Sequence, residues 1–274
     1  MINFPDCKIN LGLNITGKRP DGYHNLESLF LPIPIFDALE IIECDNKTTL
    51  EISGSDLIPD ENNLVIKAWH LLKKDFHKLP PVNIFLHKVI PIGAGLGGGS
   101  SNGSHMLLLL NNKFSLRISD KQLFAYALQL GSDCPFFILN KPAFVSGRGE
   151  VIEPMEIKLD SYQLIIVFPG LSISTQNIFS FIIPSQPTKS IKEIIQQPAI
   201  TWRQELKNDF EEIVFLKNPE LKKIKSLFYD TGATYAAMTG TGSALYAFYP
   251  KDLILPLEKF EKYFFRVFPS INKV

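Results

Sequence analysis

A crowded run of glycines is the feature of this sequence that most constrains its fold. Residues 91–104 read PIGAGLGGGSSNGS and place five of the chain's 17 glycines within positions 93–99. Glycine loses more backbone entropy on folding than any other residue, so such a cluster indicates a tight turn or a close approach of the main chain to another group. The stretch therefore predicts a loop whose backbone geometry matters.

The flanking segments predict that this loop joins a strand to a helix. Residues 82–90, VNIFLHKVI, are typical of a strand, and residues 100–114, SSNGSHMLLLLNNKF, indicate a helix start followed by an apolar face. The N–H groups at a helix start are unpaired and favour an anion. The order strand, glycine loop, helix therefore predicts a phosphate cradle.

Periodicity and capping residues predict the remaining elements of the N-terminal half. Residues 61–76 place apolar side chains at helical spacing, and a second helix is expected between a polar cap at Ser119 or Asp120 and a stop at Gly131. Strands are expected at the other apolar stretches, residues 1–16, 33–42 and 50–52.

The pattern restarts beyond about residue 153, which predicts a second domain. Residues 162–169, YQLIIVFP, indicate a buried strand, residues 175–182 a short helix, and residues 226–250 a turn-rich region that leads into a strand. The last segment, residues 264–274, is either a final strand or a packed tail. We therefore divide the chain into domains at residues 1–152 and 153–274.

Charge and cysteine content favour a small-molecule partner over nucleic acid or membrane. Lys plus Arg and Asp plus Glu number 28 each, so no net field attracts a polyanion. Cys7, Cys44 and Cys134 are odd in number and far apart, which argues against a disulfide framework or a zinc cluster and favours a reducing, cytoplasmic compartment. The start lacks the pattern of a signal peptide, and no apolar run approaches the ~20 residues that span a bilayer.

Several known phosphate-binding motifs contain a glycine-rich loop of this kind and have to be distinguished. A Walker A loop needs a lysine before its Ser or Thr, and here Gly99 is followed directly by Ser100. Residues 93–98 satisfy GxGxxG, but the acidic residue that a dinucleotide fold needs about 20 positions on is matched only by Asp120, which is expected to cap a helix. The HRD and DFG motifs of protein kinases are absent from the sequence. A glycine turn that binds nothing remains the alternative to a phosphate cradle.

Five stretches together carry a resemblance to a known family. They are KINLGLNITGKRPDGYHNLESLF (8–30), PIGAGLGGGSS (91–101), GSDCPFF (131–137), SGRGEVIEP (146–154) and MTGTGSALYAF (238–248). In this order they resemble the kinase superfamily that includes galactokinase, homoserine kinase and mevalonate kinase. They are most similar to the branch that phosphorylates the 2-hydroxyl of a cytidine-diphosphate-linked alcohol in non-mevalonate isoprenoid biosynthesis.

The resemblance covers about residues 6–250 and implies both fold and reaction. It implies an α+β, two-domain small-molecule kinase whose N-terminal domain has a left-handed βαβ unit and whose C-terminal domain is ferredoxin-like. ATP and the alcohol are expected in the cleft between the two domains. The alternatives are a kinase of the same superfamily with another small alcohol as substrate, and a nucleotide-binding protein without catalytic activity.

The resemblance also assigns roles to individual residues. Lys8 and Asp133 match the pair that faces the acceptor hydroxyl, where a lysine and a carboxylate would orient the hydroxyl proton and stabilise the transferring phosphoryl group. Mg²⁺ is expected, although its protein ligands are unknown. The positions that match ATP contacts are Asn63 and Lys88 near the nucleoside and Gly95, Leu96, Gly97, Gly98, Gly99, Ser100 and Ser101 around the phosphates.

The substrate positions implied by the resemblance surround a cytidine. Tyr23 and Phe179 would stack on the two faces of the base, and His24 would read its edge, while Asn10 and Thr175 would lie nearer the sugar and diphosphate. The chain departs from the family's usual pattern where small or aliphatic residues are common, at Asn102, Gly103, Ser104 and Cys134, and where serine is frequent, at Thr239 and Thr241.

Overall fold

The computed structural model describes residues 1–271, with the side chain of Gln176 excepted. The strands in this range are β1 (Ile2–Asn3), β2 (Cys7–Lys18), β3 (His24–Ile33), β4 (Ala38–Glu43), β5 (Thr49–Ser53), β6 (Val82–His87), β7 (Ala143–Gly147), β8 (Val151–Pro154), β9 (Tyr162–Phe168), β10 (Tyr235–Met238), β11 (Leu245–Pro250) and β12 (Phe264–Phe268). The α-helices are α1 (Leu64–Asp75), α2 (Gly98–Lys113), α3 (Asp120–Leu130), α4 (Cys134–Leu139), α5 (Thr175–Phe179), α6 (Ile191–Ile195), α7 (Ala199–Glu205), α8 (Glu211–Lys217) and α9 (Pro219–Asp230). The mixture of separate sheets and helices confirms the predicted α+β class.

The residues divide into two compact units, each assembled from separate segments of the chain. The first unit contains residues 1–8, 34–90 and 97–141, and the second contains residues 9–33, 91–96 and everything from Pro142 onward. The chain therefore enters the second unit three times: at Ile9 within β2, at Pro91 and at Pro142. The entry at Pro91 is the start of residues 91–101, which we call the glycine segment. The division at residues 152 and 153 remains a prediction, and residues 272–274 of the predicted second domain lie outside the described range.

The first unit is a four-stranded sheet covered by helices. Its strand order is β1-β4-β6-β5, and β5 and β6 run parallel, joined through α1 as a βαβ unit. Helix α2 packs against α1, α3 and α4, and ten of its residues are buried around its circumference, as expected for a helix in the centre of a core. The glycine segment therefore leads into the central helix of this unit.

Local signals explain where the helices of the first unit begin. The Asn63 side chain accepts a hydrogen bond from Val65 N at the start of α1. Ser119 and Gln122 form a capping box at α3, and Gly131 ends that helix, as the sequence predicted. Helix α2 begins at Gly98, two residues before the predicted start, and its N-cap is Gly97.

One predicted strand is divided in the structure. Residues 33–42 do not form a single strand, because β3 ends at Ile33 and β4 begins at Ala38. Pro34 lacks the N–H that a strand ladder needs, and the intervening segment ends at Asp37, whose backbone N donates to Pro5 O. The interruption places Asp37, a fully buried carboxylate, at the start of β4.

The second unit contains two sheets. One has the order β2-β3-β7-β8, and the other is antiparallel with the order β10-β11-β9-β12. Along the chain the latter reads strand, helices, two strands, short turn of helix, strand, which is the ferredoxin-like pattern with a 3₁₀ turn at Leu257–Lys259 in place of its second helix. Residues 264–268 are a strand rather than a packed tail. No helix within residues 1–271 is long and apolar enough to cross a membrane.

Candidate active site

Lys8 and Asp133, the predicted catalytic pair, form an ion pair in the first unit. Lys8 is the second residue of β2 and is buried, and its Nζ lies 3.4 Å from Asp133 Oδ2. The Asp133 side chain is one-third exposed, so one partner is fixed inside the protein while the other is reachable. The pair can therefore present a carboxylate to an incoming hydroxyl beside a permanently placed positive charge.

The local structure explains why the Asp133 carboxylate is available. Asp133 occupies the N-cap position of α4, but its side chain makes no capping hydrogen bond. The next residue, Cys134, is buried, and its carbonyl accepts a hydrogen bond of 2.7 Å from Ser104 Oγ on α2. Ser104 therefore anchors the start of α4, although the sequence marked it only as a departure from the family pattern.

Gly97 stands at the turn into α2 in a conformation that glycine favours. Its φ is 72° and its ψ is 13°, in the left-handed region. A Cβ built at this position would lie 3.1 Å from Phe137 Cζ and 3.2 Å from both Cε and Cγ of Lys8. The predicted phosphate loop thus packs directly on the side chain of the predicted catalytic lysine.

The first turn of α2 contains one open position and two serines in different settings. A Cβ at Gly99 would meet no atom within 4 Å, whereas a Cβ at Gly98 would lie 2.8 Å from Ile90 Cγ2. Ser100 is partly exposed and hydrogen-bonds the Cys134 thiol, whose pKa is raised to about 12, chiefly by burial. Ser101 is fully buried, with its hydroxyl 3.3 Å from His105 Nδ1. Of the two serines, Ser100 is the one that an approaching phosphate can reach.

Lys88 directly follows β6 and is part of a buried network. Its ammonium pairs with the Asp37 carboxylate and donates a hydrogen bond of 2.9 Å to Asn102 Oδ1. Neither Asp37 nor Asn102 was predicted, because they lie 51 and 14 residues from Lys88 and no local pattern links them. The other predicted nucleoside contact, Asn63, is the N-cap of α1 described above. An ATP contact by either residue remains a prediction.

Asn10, Gly95 and Leu96 lie in the second unit. The Asn10 side chain is buried, where its Nδ2 donates to Ser28 Oγ at 3.0 Å and its Oδ1 accepts from Thr239 Oγ1 at 3.2 Å. Thr239 Oγ1 also lies 3.1 Å from Gly95 O, and a Cβ at Gly95 would fall 2.2 Å from Thr239 O. Leu96 is buried. Thr239 therefore binds both Asn10 and the glycine segment, and no side chain larger than hydrogen fits at Gly95.

The predicted base-binding residues lie on the surface of the second unit. Tyr23 is half exposed, and the Arg148 guanidinium lies over its ring, 4.9 Å from the centroid. The rings of His24 and Phe179 contact each other with centroids 5.2 Å apart, and Phe179 also contacts the buried Phe210 at 4.7 Å. Arg148, in the SGRGEV stretch, is a residue that the sequence reading missed.

His24 and Thr175 are placed to act as neutral polar groups. Partial burial, and secondarily the charge of Lys18, lower the pKa of His24 below its usual value, which favours the neutral imidazole with one donor and one acceptor nitrogen. Thr175 begins α5, and its Oγ1 lies 3.0 Å from Thr241 Oγ1. Both threonine hydroxyls can therefore be oriented by each other.

The donor set fits a magnesium ion carried by a nucleotide rather than a closed metal site. Within the described residues, no group of three or more His, Cys, Asp and Glu side chains is arranged to hold a metal. Among the predicted site residues, the Asp133 carboxylate is one-third exposed and Ser100 is partly exposed, so both can offer an oxygen donor. Mg²⁺ in kinases is commonly held by one or two carboxylates together with substrate phosphates and water, so this limited set suffices.

Comparisons with known proteins agree with the resemblance found in the sequence. The family descriptions "GHMP kinases N terminal domain" and "GHMP kinases C terminal" match residues 63–141 and 190–256. The 4-diphosphocytidyl-2-C-methyl-D-erythritol kinase of Bacteroides fragilis is 49% identical over 263 residues, covering 94% of this chain and 96% of that protein. The protein of the same name from Bacteroides thetaiotaomicron is 48% identical over 93% of this chain and 94% of its own length.

A solved structure supports the same relationship. The crystal structure of a 4-(cytidine 5'-diphospho)-2C-methyl-D-erythritol kinase superposes with a TM-score of 0.76 at 32% identity, covering 90% of this chain and 89% of that one. These matches confirm the two-domain α+β kinase fold and the use of ATP. The chain belongs to the 4-diphosphocytidyl-2-C-methyl-D-erythritol kinase family, within the GHMP kinases.

Proposed function

We propose that this ATP-dependent kinase transfers the γ-phosphoryl group of ATP to the 2-hydroxyl of 4-diphosphocytidyl-2-C-methyl-D-erythritol, a step of non-mevalonate isoprenoid precursor biosynthesis. The observation that carries the proposal is the Lys8–Asp133 pair, in which a buried ammonium lies 3.4 Å from a reachable carboxylate. The names of the relatives indicate which alcohol is the substrate, and the ion pair is suited to phosphoryl transfer to a hydroxyl group.

The reaction needs an acceptor for the hydroxyl proton and positive charge for the phosphoryl group. Asp133 accepts or orients the proton of the 2-hydroxyl as that oxygen attacks phosphorus. Lys8 stabilises negative charge on the phosphoryl oxygens in the transition state. Because Lys8 is held by burial and by packing against Gly97, its charge is preorganised and does not have to be brought in during the reaction.

The first turn of α2 is proposed to hold the ATP phosphates. Its unpaired N–H groups and the helix dipole favour negative charge, and no side chain of Gly98 or Gly99 stands in the way. Mg²⁺, when bound, neutralises phosphate charge, and it would be held by the phosphates with Asp133 and Ser100 as the protein donors. Asn63 and Lys88 remain the proposed contacts of the nucleoside end.

The cytidine end is proposed to bind at the aromatic residues of the second unit. Tyr23 and Phe179 provide π faces for a base, and the neutral His24 provides one donor and one acceptor for its edge. Asn10 and Thr175 are proposed for the sugar and diphosphate. The cysteines are free thiols, two of them buried, which supports a place in the reducing cytoplasm.

The test is ADP release on addition of the cytidyl alcohol, with mevalonate, homoserine and galactose as competing acceptors and Asp133→Asn as the control enzyme. We expect turnover with the cytidyl alcohol alone and its loss in the control. Turnover with another alcohol would leave a kinase of the same superfamily with a different substrate. Turnover with none, in a protein that binds ATP, would leave a nucleotide-binding protein and refute the proposal.

A further inference from the structure

In the first unit, one carboxylate binds the residues that flank the glycine segment on both sides. Asp37 Oδ1 accepts hydrogen bonds from Val89 N at 2.7 Å and Ile90 N at 2.9 Å, just before the segment begins. Asp37 Oδ2 accepts from Asn102 Nδ2 at 2.9 Å, just after the two serines, and pairs with the Lys88 ammonium. The residues on either side of 91–101 therefore meet at one fully buried side chain.

The three side chains of this network satisfy one another. The Asp37 carboxylate receives four donors, and Lys88 also donates to Asn102 Oδ1, so both ends of the Asn102 amide are used. All three residues are buried, with exposures of 0% for Asp37, 6% for Lys88 and 2% for Asn102. A buried ion pair of this kind contributes little net stability compared with apolar side chains of the same volume, so its use points to a defined geometry.

The network also acts at the helix start where phosphate is expected. A Cβ at Gly98 would lie 3.5 Å from Lys88 Nζ, so the ammonium sits against the first residue of α2. The ammonium that Asp37 binds therefore packs against the start of α2. If either end of the segment were released, the N–H groups of the first turn would sample other directions, and only a fraction of molecules would be ready to bind an anion.

We infer that Asp37, through Lys88 and Asn102, is a positioning residue that keeps the glycine segment in its phosphate-binding conformation. The inference rests on the proposed function, because it assumes that the segment binds ATP. Asp37 itself is too deeply buried to touch a nucleotide, so its effect is transmitted through the backbone of residues 88–102.

The test releases one end of the segment and leaves the ion pair in place. Asn102→Ala removes the hydrogen bond from α2 to Asp37, while Lys88 and Asp37 still neutralise each other. The matched control is Asn111→Ala on the same helix, which likewise loses two hydrogen bonds, those of the Asn111 amide with Ile118 N and Ile118 O.

We expect Asn102→Ala to weaken ATP binding, measured by calorimetry without the alcohol, by roughly 5- to 20-fold, since competent molecules become a minority. The Asn111→Ala control should lose similar thermal stability and keep the ATP Kd of the wild type. The KM for the alcohol should stay within about twofold in both variants.

Equal ATP affinity in Asn102→Ala and Asn111→Ala, with both folded, would overturn the inference and leave the network a structural feature only. A fall in the apparent kcat in proportion to the unfolded fraction, with both KM values unchanged, would overturn it as well. Wild-type protein that binds no ATP would instead contradict the proposed function. The two failures are therefore distinguishable in the same calorimetric series.

Discussion

Two glycines two residues apart should respond in opposite ways to the same substitution. Gly97 is at the left-handed N-cap of α2 with Lys8 and Phe137 against it, whereas Gly99 lies inside the first turn with open space around it. Alanine at both positions adds the same methyl group. The comparison therefore separates the packing role of the segment from its phosphate-binding role.

The expected cost at Gly97 has a conformational and a steric part. An alanine at φ 72° costs about 1–2 kcal/mol relative to glycine, because its Cβ crowds the following carbonyl oxygen. The contacts of 3.1 and 3.2 Å to Phe137 and Lys8 require those side chains to move by a few tenths of an ångström. With an unfolding entropy of about 2.1 cal/mol/K per residue, this conformational cost alone lowers the Tm of a 274-residue protein by roughly 2–4 °C.

The displacement at Gly97 falls on the proposed catalytic lysine. Since Lys8 Nζ is placed 3.4 Å from Asp133, a shift of its stem changes the geometry of the pair. Misplacement by about 1 Å costs on the order of 100-fold in rate, so a smaller shift is expected to lower kcat roughly 10-fold. Gly97→Ala should therefore reduce kcat even at saturating ATP.

The expected result at Gly99 is a more stable helix and weaker ATP binding. Replacing a helical glycine by alanine raises the free energy of unfolding by up to ~1 kcal/mol, and by less in a first turn. No atom near Gly99 would clash with the added methyl group. If phosphate approaches this exposed backbone, the new methyl group raises the KM for ATP several-fold with kcat nearly unchanged. Urea unfolding and an ADP-release assay over a range of ATP concentrations measure both quantities. Equal kcat for Gly97→Ala and wild type, or an unchanged KM for ATP in Gly99→Ala, would refute the respective part of the reasoning.

Three further predictions address the catalytic pair, the base site and a buried acid. Asp133→Asn should lower kcat by roughly 10²–10⁴-fold, with an ATP Kd that is unchanged in calorimetry without Mg²⁺, and a near-normal kcat would remove Asp133 from catalysis. Phe179→Ala should weaken the cytidyl substrate by about 5- to 150-fold in kcat/KM, as loss of one stacking ring predicts, and equal loss of ATP affinity would contradict a base-specific role. Burial raises the pKa of Asp6 from 3.8 to about 6 against a hydrogen bond from Asn140, so the native state binds more protons between these values and stability falls as pH rises through them. Asp6→Asn should flatten that decline and raise the free energy of unfolding by up to ~3 kcal/mol at pH 8. Urea unfolding at pH 4 and pH 8 measures this free energy, and the same change between the two pH values in wild type and variant would exclude this role of Asp6.

Local signals in the sequence were sufficient for the elements that surround the site. The glycine loop, the helix after it and the α3 capping box depend on residues within a few positions of each other, so spacing alone predicts them. The Lys8–Asp133 pair joins positions 125 residues apart, and only the resemblance to a known family brought them together. The buried setting of Ser101 was not predicted, because it follows from α2 being buried all round and not from the sequence near the serine.

The hydrogen-bond network of Asp37 could not be predicted from the sequence. Its partners are spread over residues 88–102, and an aspartate between two apolar stretches resembles an ordinary turn residue. Asn102 was noted only as a departure from a family pattern, although in the structure it completes the carboxylate's set of donors. Such networks are defined by tertiary packing, since each member is costly to bury alone and acceptable only when all are present.

The aromatic residues predicted to stack on the cytosine base are held in place by neighbouring side chains of the second unit. Phe179 is supported by Phe210 and His24, and Tyr23 is covered by Arg148, so each proposed stacking ring has a protein partner that limits its motion. A ring that is already ordered loses less entropy when a base stacks on it. Stacking does not distinguish cytosine from uracil, because both have similar π faces, whereas a hydrogen bond to the base edge does. The lowered pKa of His24 therefore matters for specificity, since only the neutral ring offers both a donor and an acceptor to that edge.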